Sequence, residues 1–153
     1  MGIDPENPVV KLCAAGIAAE MAGRRDGAAK LYQSAWDART NEFEACIAAH
    51  YVARLQTTPE AALHWNSEAL RFAEAANDGT LHEFLPSLYL NLGKSHEDLG
   101  NFADANKFYL RAENQVGVLP AREYAETVRR GIQRGIERVT IATTQAAAAA
   151  ERV

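Results

Sequence analysis

A recurring spacing of small and aromatic residues constrains this chain more than any other feature. Leu12, Gly16, Ala19, Ala28, Tyr32 and Ala35 set the pattern. Shifted by one repeat length it returns as Cys46, His50, Ala53, Ala62, Asn66 and Ala69. After a somewhat longer interval it is clearest: Tyr89, Gly93, His96, Ala105, Tyr109 and Ala112. A period of about 34 residues describes one helix–turn–helix unit, which stacks on its neighbours to bury a common core. The expectation is an all-α protein, an α-solenoid of three such units plus a C-terminal capping helix, seven helices in all.

Composition agrees. The chain has 153 residues, 48% of them hydrophobic. Many are alanines, which favour helix and permit close helix packing. No run of about 18 apolar residues occurs, so no membrane span is expected. The opening stretch to Pro8 is polar and lacks the basic start and apolar core of a secretory signal. Two cysteines, Cys13 and Cys46, neither build a disulfide framework nor fit a zinc spacing, and a reduced cytoplasm is the expected compartment. Residues 1–119 hold ten Lys/Arg against sixteen Asp/Glu, whereas residues 120–153 hold six against four. That asymmetry is either ordinary surface variation or a basic face for an acidic partner.

Helix starts and stops are written in the caps. Asn7-Pro8 opens the first helix and Gly23 closes it. Asp26 is expected to cap the second, which ends near Arg39. Asn41 with Glu44 reads as a capping box for the third, which runs to about Leu55. Thr58-Pro59 starts the fourth, which continues to Ala76 and breaks at Asn77-Asp78-Gly79. Thr80 with Glu83 reads as a further capping box. Pro86 then either kinks the fifth helix or separates a short turn from it; a kinked helix ending at Leu99 is the expectation. Gly100-Asn101 turns the chain into a sixth helix, Phe102 to Gln115. Val116 to Leu119 connects to a seventh from Pro120, with Tyr124, Val128, Ile132, Ile136 and Val139 on one face. Gly131 and Gly135 leave room for a close neighbour. The tail from Thr143 either extends the helix or frays.

Over roughly residues 8–140 the chain resembles the tetratricopeptide repeat family, and small three-unit bacterial members of it with a terminal helix. The third unit carries the likeness best: Leu90-Asn91-Leu92-Gly93-Lys94, Leu99-Gly100-Asn101-Phe102, Ala105, Phe108-Tyr109 and Ala112. The second departs from it, with His50 and Asn66 in place of Gly and the aromatic, and Trp65 one position early. The resemblance implies a lead-in 1–7, one repeat domain 8–142 and an Ala-rich tail 143–153. Its units are about 8–40, 41–79 and 80–117, with a capping helix 120–142.

The resemblance also implies that the first helix of each unit lines a concave groove. Transferred residue by residue, the partner-binding groove is Cys13, Ile17, Ile47, Tyr51, Arg54, Leu90, Asn91 and Lys94. Cys13 and Ile17 stand where chaperone-binding members place the Lys and Asn of a carboxylate clamp, so no clamp is expected. The N-terminal end is apolar, which suits either an apolar partner anchor or packing within the fold. Tyr51, Arg54, Asn91 and Lys94 are expected to read the partner, at positions the fold does not need for itself.

Chemistry is not written in the chain. No HExxH motif joins His50, His64, His82 and His96, and His50 and His96 fall at packing positions. Glu20, Glu44 and Glu97 have no spacing that demands acid–base work. Leu92-Gly93-Lys94 lacks the rest of a phosphate loop. Arg129, Arg130, Arg134 and Arg138 form a basic run without the stacking aromatics and net positive charge of a nucleic-acid binder. The expected function is a non-catalytic module that needs no cofactor or metal and binds a protein or peptide ligand, not nucleic acid or membrane. The alternative is a self-associating structural protein, a homodimer through its first or last helix; an enzyme of unknown type is a weaker one.

Overall fold

A computed structural model describes residues 3–77, 79–119 and 122–152. These residues form seven α-helices and no strand: α1 (Pro8–Met21), α2 (Arg25–Ala38), α3 (Glu42–Arg54), α4 (Pro59–Ala76), α5 (Leu85–Asp98), α6 (Phe102–Gln115) and α7 (Arg122–Glu151). Single 3-10 turns occupy His82–Phe84 and Val116–Val118. The chain divides into two compact units, Met1–His82 and Glu83–Val153.

In the first unit α1 pairs with α2, α3 pairs with α4, and α3 lies against both α1 and α2. The Asn7 side chain accepts from the Val9 and Val10 amides, and Pro8 occupies the first turn, where no amide is missed. At the other end Gly23, with φ of 74°, donates to Glu20 O while Arg24 donates to Ala19 O. This is the Schellman pattern, whose left-handed residue favours glycine. It uses up Gly23 and Arg24, so α2 begins at once. Asp26 therefore sits inside its first turn and does not cap it; Arg24 holds the cap position without a side-chain bond.

Asn41 caps α3 by accepting from the Glu44 amide. The Glu44 carboxylate turns instead to the Thr40 amide at 2.6 Å, the Thr40 hydroxyl at 2.8 Å and Asn7 Nδ2 at 2.8 Å. Asn7 thus ties the start of α1 to the start of α3. Residues Glu44 to Ala49, with Val52 and Ala53, are all buried, so α3 is enclosed around most of its circumference. Its alanines permit that.

In the second unit α5 pairs with α6, and α7 lies against both. The expected kinked helix from Thr80 does not form. The 3-10 turn His82–Phe84 comes first, and α5 starts at Leu85 with Phe84 at its cap position and no side-chain cap. Pro86 then falls in the first turn, where its missing N–H costs nothing, whereas mid-helix it would break a bond. α5 ends as α1 does: Gly100, with φ of 77°, donates to Glu97 O and Asn101 donates to His96 O. The expected start of α7 at Pro120, and Asp78 of the earlier break, lie outside the described residues. The alanine-rich tail continues α7 to Glu151.

Candidate interaction surfaces and the ties beneath them

Each unit contains the same arrangement of four residues, and it governs which side chains are left for a partner. In the first, the Tyr32 ring lies on Gly16, where a Cβ would come within 2.6 Å of ring carbon Cδ1. The Tyr32 hydroxyl donates to Glu20 at 3.0 Å, and Arg54 of α3 grips the same carboxylate through Nε at 3.2 Å and Nη2 at 3.0 Å. In the second, the Tyr109 ring lies on Gly93, where a Cβ would come within 2.6 Å of Cδ1 and Cε1, a slightly wider approach than at Gly16. Its hydroxyl donates to Glu97, and Arg138 of α7 grips Glu97 through Nε at 2.6 Å and Nη2 at 3.0 Å. One and the same interval separates Gly16 from Gly93, Glu20 from Glu97, and Tyr32 from Tyr109.

Electrostatics follow from this packing. Burial and the neighbouring carboxylate push both tyrosine hydroxyls well above their usual range, so they remain donors. Burial would raise Glu97, but the bonds from Arg138 and Tyr109 outweigh it and hold its carboxyl below the ordinary value. The same balance, with Asn7, Thr40 and Asn41 as donors, holds Glu44 low.

Sequence reasoning missed the part played by Glu20 and Glu97. Both lie in the last turn of a helix, where a carboxylate opposes the helix dipole. That misplaced charge, recurring at the interval of the glycines and tyrosines, was the available signal.

The expected groove residues separate into three kinds. Cys13 and Ile47 are buried, each about 2% exposed, and have joined the interior. Burial also pushes the Cys13 and Cys46 thiols up to about 12, which removes them as thiolate nucleophiles near neutral pH. Tyr51 is half-buried, stacks on Tyr32 with centroids 5.3 Å apart, and packs against the buried cluster that Tyr32 forms with Ala19, Ala28 and Val52. With Arg54 tied to Glu20, the expectation that Tyr51 and Arg54 are not needed by the fold is corrected: both close the first unit. Ile17, Leu90 and Asn91 are half-buried, and Lys94 is exposed and paired with Asp98. Met21, 86% exposed, is the most open large apolar side chain among the described residues.

The histidines act in packing. His50 sits edge-on to Tyr51, and burial with the Arg54 charge lowers its imidazole to about 4, so it is neutral at pH 7. His96 stacks on Phe108 at 5.4 Å and 7°. Among the described residues no group of three His, Cys, Asp or Glu is placed to hold a metal, and no helix is long and apolar enough to cross a membrane. Trp36 of α2 meets Trp65 of α4 edge-on at 4.9 Å, and Arg39 lies over the Trp36 ring at 3.6 Å. No family model, curated protein or solved structure matches the chain.

Proposed function

We propose that this chain is a non-catalytic interaction module whose helical hairpins stack as tetratricopeptide repeats do and hold a peptide or a helix on the faces of their first helices. The observation that supports this reading is the repeated tie. In each unit a tyrosine fills a glycine gap within one hairpin, and an arginine from the following helix locks onto it. A following helix that locks the preceding hairpin is what a stacked array requires.

On this reading the first-helix face that a partner meets is Ile17, Met21, Tyr51 and Arg54 in the first unit, or Leu90, Asn91 and Lys94 in the second. Tyrosine and arginine are frequent at binding hot spots, and an exposed methionine adapts to varied apolar partners. Affinity capture with the full chain, followed by mass spectrometry and calorimetric titration of the identified partner, is the test. Tyr51→Ala should weaken binding by about 1–2 kcal/mol, and Met21→Asp and Lys94→Glu should weaken it without disturbing the fold. Lys30→Ala and Lys107→Ala, on second helices, should leave it unchanged. The reverse pattern would move the interaction to the outer helices.

A further inference from the structure

The last three turns of α7 are largely exposed, with Thr143 and Ala146 beside the start of α6, and their sequence is self-complementary. α7 is 30 residues long. Its inner stripe, Val128, Ile132, Gly135 and Val139, is buried. Beyond Val139 only Ala142 is partly covered, and every other described residue is exposed. From Val139 to Ala150 no residue is charged, and Ile141 is 57% exposed. At about 100° per residue, Ile141 points away from the buried stripe. Ala148, two turns on, shares its face.

We propose that this arm pairs antiparallel with the arm of a second copy of the chain. The choice of occupant rests on charge. The uncharged stretch is bracketed by Glu137-Arg138 on one side and Glu151-Arg152 on the other. A two-fold axis between Thr144 and Gln145 sets Glu137 of one copy opposite Arg152 of the other, and Arg138 opposite Glu151. Both brackets become complementary in sign, as an isologous contact demands. The same register seats Ile141 of each copy against Ala148 of the other, a large side chain over a small one. Arg138 holds Glu97 through Nε and Nη2, so it meets Glu151 with the remaining edge of its guanidinium. The seam lies opposite the stripe that packs on α5 and α6, so pairing leaves that packing undisturbed. A contact of this length is at the small end of specific interfaces, so the dimer is weak and concentration-dependent.

Sedimentation equilibrium of the full chain over a wide concentration range tests this. The expected result is a reversible monomer–dimer equilibrium. Ile141→Asp and Glu137→Arg should each weaken it roughly tenfold or more, since each sets an uncompensated charge in the seam. The double variant Glu137→Arg/Arg152→Glu restores the sign pattern and should recover the dimer to within about threefold. These residues are exposed and lie outside the Glu97 tie, so helicity by circular dichroism should not change. A chain that stays monomeric at every concentration overturns the proposal. So does a dimer indifferent to Ile141→Asp, or a double variant no better than Glu137→Arg alone.

Discussion

The two tyrosine ties share their chemistry but differ in what lies behind the ring. Tyr109 is held between two glycine backbones, Gly93 of α5 and Gly135 of α7, and an added Cβ on either would come within 2.6 Å of ring carbons. Tyr32 has one such wall, Gly16; its other neighbour is the Tyr51 ring at 5.3 Å. Backbone cannot yield without moving a helix, whereas a half-buried ring can rotate or slide. The second unit has therefore closed its tyrosine with main chain, and the first with a side chain. The helix supplying the arginine differs too. α3 is buried almost all round, while α7 presents Arg129, Arg130, Gln133, Arg134 and Glu137 to solvent. One is buried nearly all round, the other keeps one face in water.

Removing the rings should have the largest effect. Tyr109→Ala and Tyr32→Ala each delete a fully buried aromatic and should cost about 3–5 kcal/mol. Because Gly93 and Gly135 cannot collapse into the gap, Tyr109→Ala should be the worse of the two in urea unfolding. Equal losses would mean that Tyr51 is as rigid as main chain.

Crowding the rings comes next. Gly93→Ala, Gly135→Ala and Gly16→Ala should each cost about 1–3 kcal/mol by overpacking. The two glycines around Tyr109 should be the more sensitive, since that ring has no yielding side. A milder Gly135→Ala than Gly16→Ala, by thermal unfolding, would break the comparison.

Acid should separate the units. His50 is neutral in the fold, with its pKa lowered from 6.5 to about 4. The unfolded chain binds that proton first, so His50 contributes stability above about pH 6.5 that is lost as pH falls toward 4. The loss should be on the order of 1–3 kcal/mol and fall on the first unit, where His50 lies on α3. Glu44 and Glu97, both held low, add their losses as pH falls through the ordinary carboxylate range and below it. His50→Gln should flatten the slope between pH 6.5 and 4; an unchanged slope would show that another group carries it.

The arginines should matter least. Arg54 and Arg138 have side chains 50% and 48% exposed, so Arg54→Ala and Arg138→Ala should each cost no more than about 1 kcal/mol, less in high salt. A larger, salt-insensitive loss for Arg138→Ala would mean that Glu97, 13% exposed, is stranded without it.

Legibility followed the range of the interaction. Asn7, Asn41, Thr58, Gly23 and Gly100 act on backbone groups close to them in the chain, so both ends of α1, the starts of α3 and α4 and the end of α5 could be read closely. Asp26 and Thr80 failed because a neighbouring feature, the Schellman turn or Pro86, had already decided where the next helix begins. Tyr32 and Tyr109, both fully buried, are members of the repeated spacing. The fates of Cys13, Ile47 and Arg54 could not be read that way, because a first-helix position looks the same in sequence whether it faces a partner or another helix.

The sequence by itself determined an all-helical chain, the positions of its turns, and the glycine–tyrosine pairs that recur at a fixed interval. These depend on dihedral preferences, capping and periodic burial, all local. Only the tertiary structure decided that Glu20 and Glu97 each bind a tyrosine and an arginine, that Glu44 joins two helix starts, and that the chain forms two compact units. Each of these ties joins groups far apart in the chain, as from Glu20 to Tyr32 or Glu97 to Arg138. No local rule specifies such a pairing; it exists once helix packing brings the groups within hydrogen-bonding reach and shields them from water.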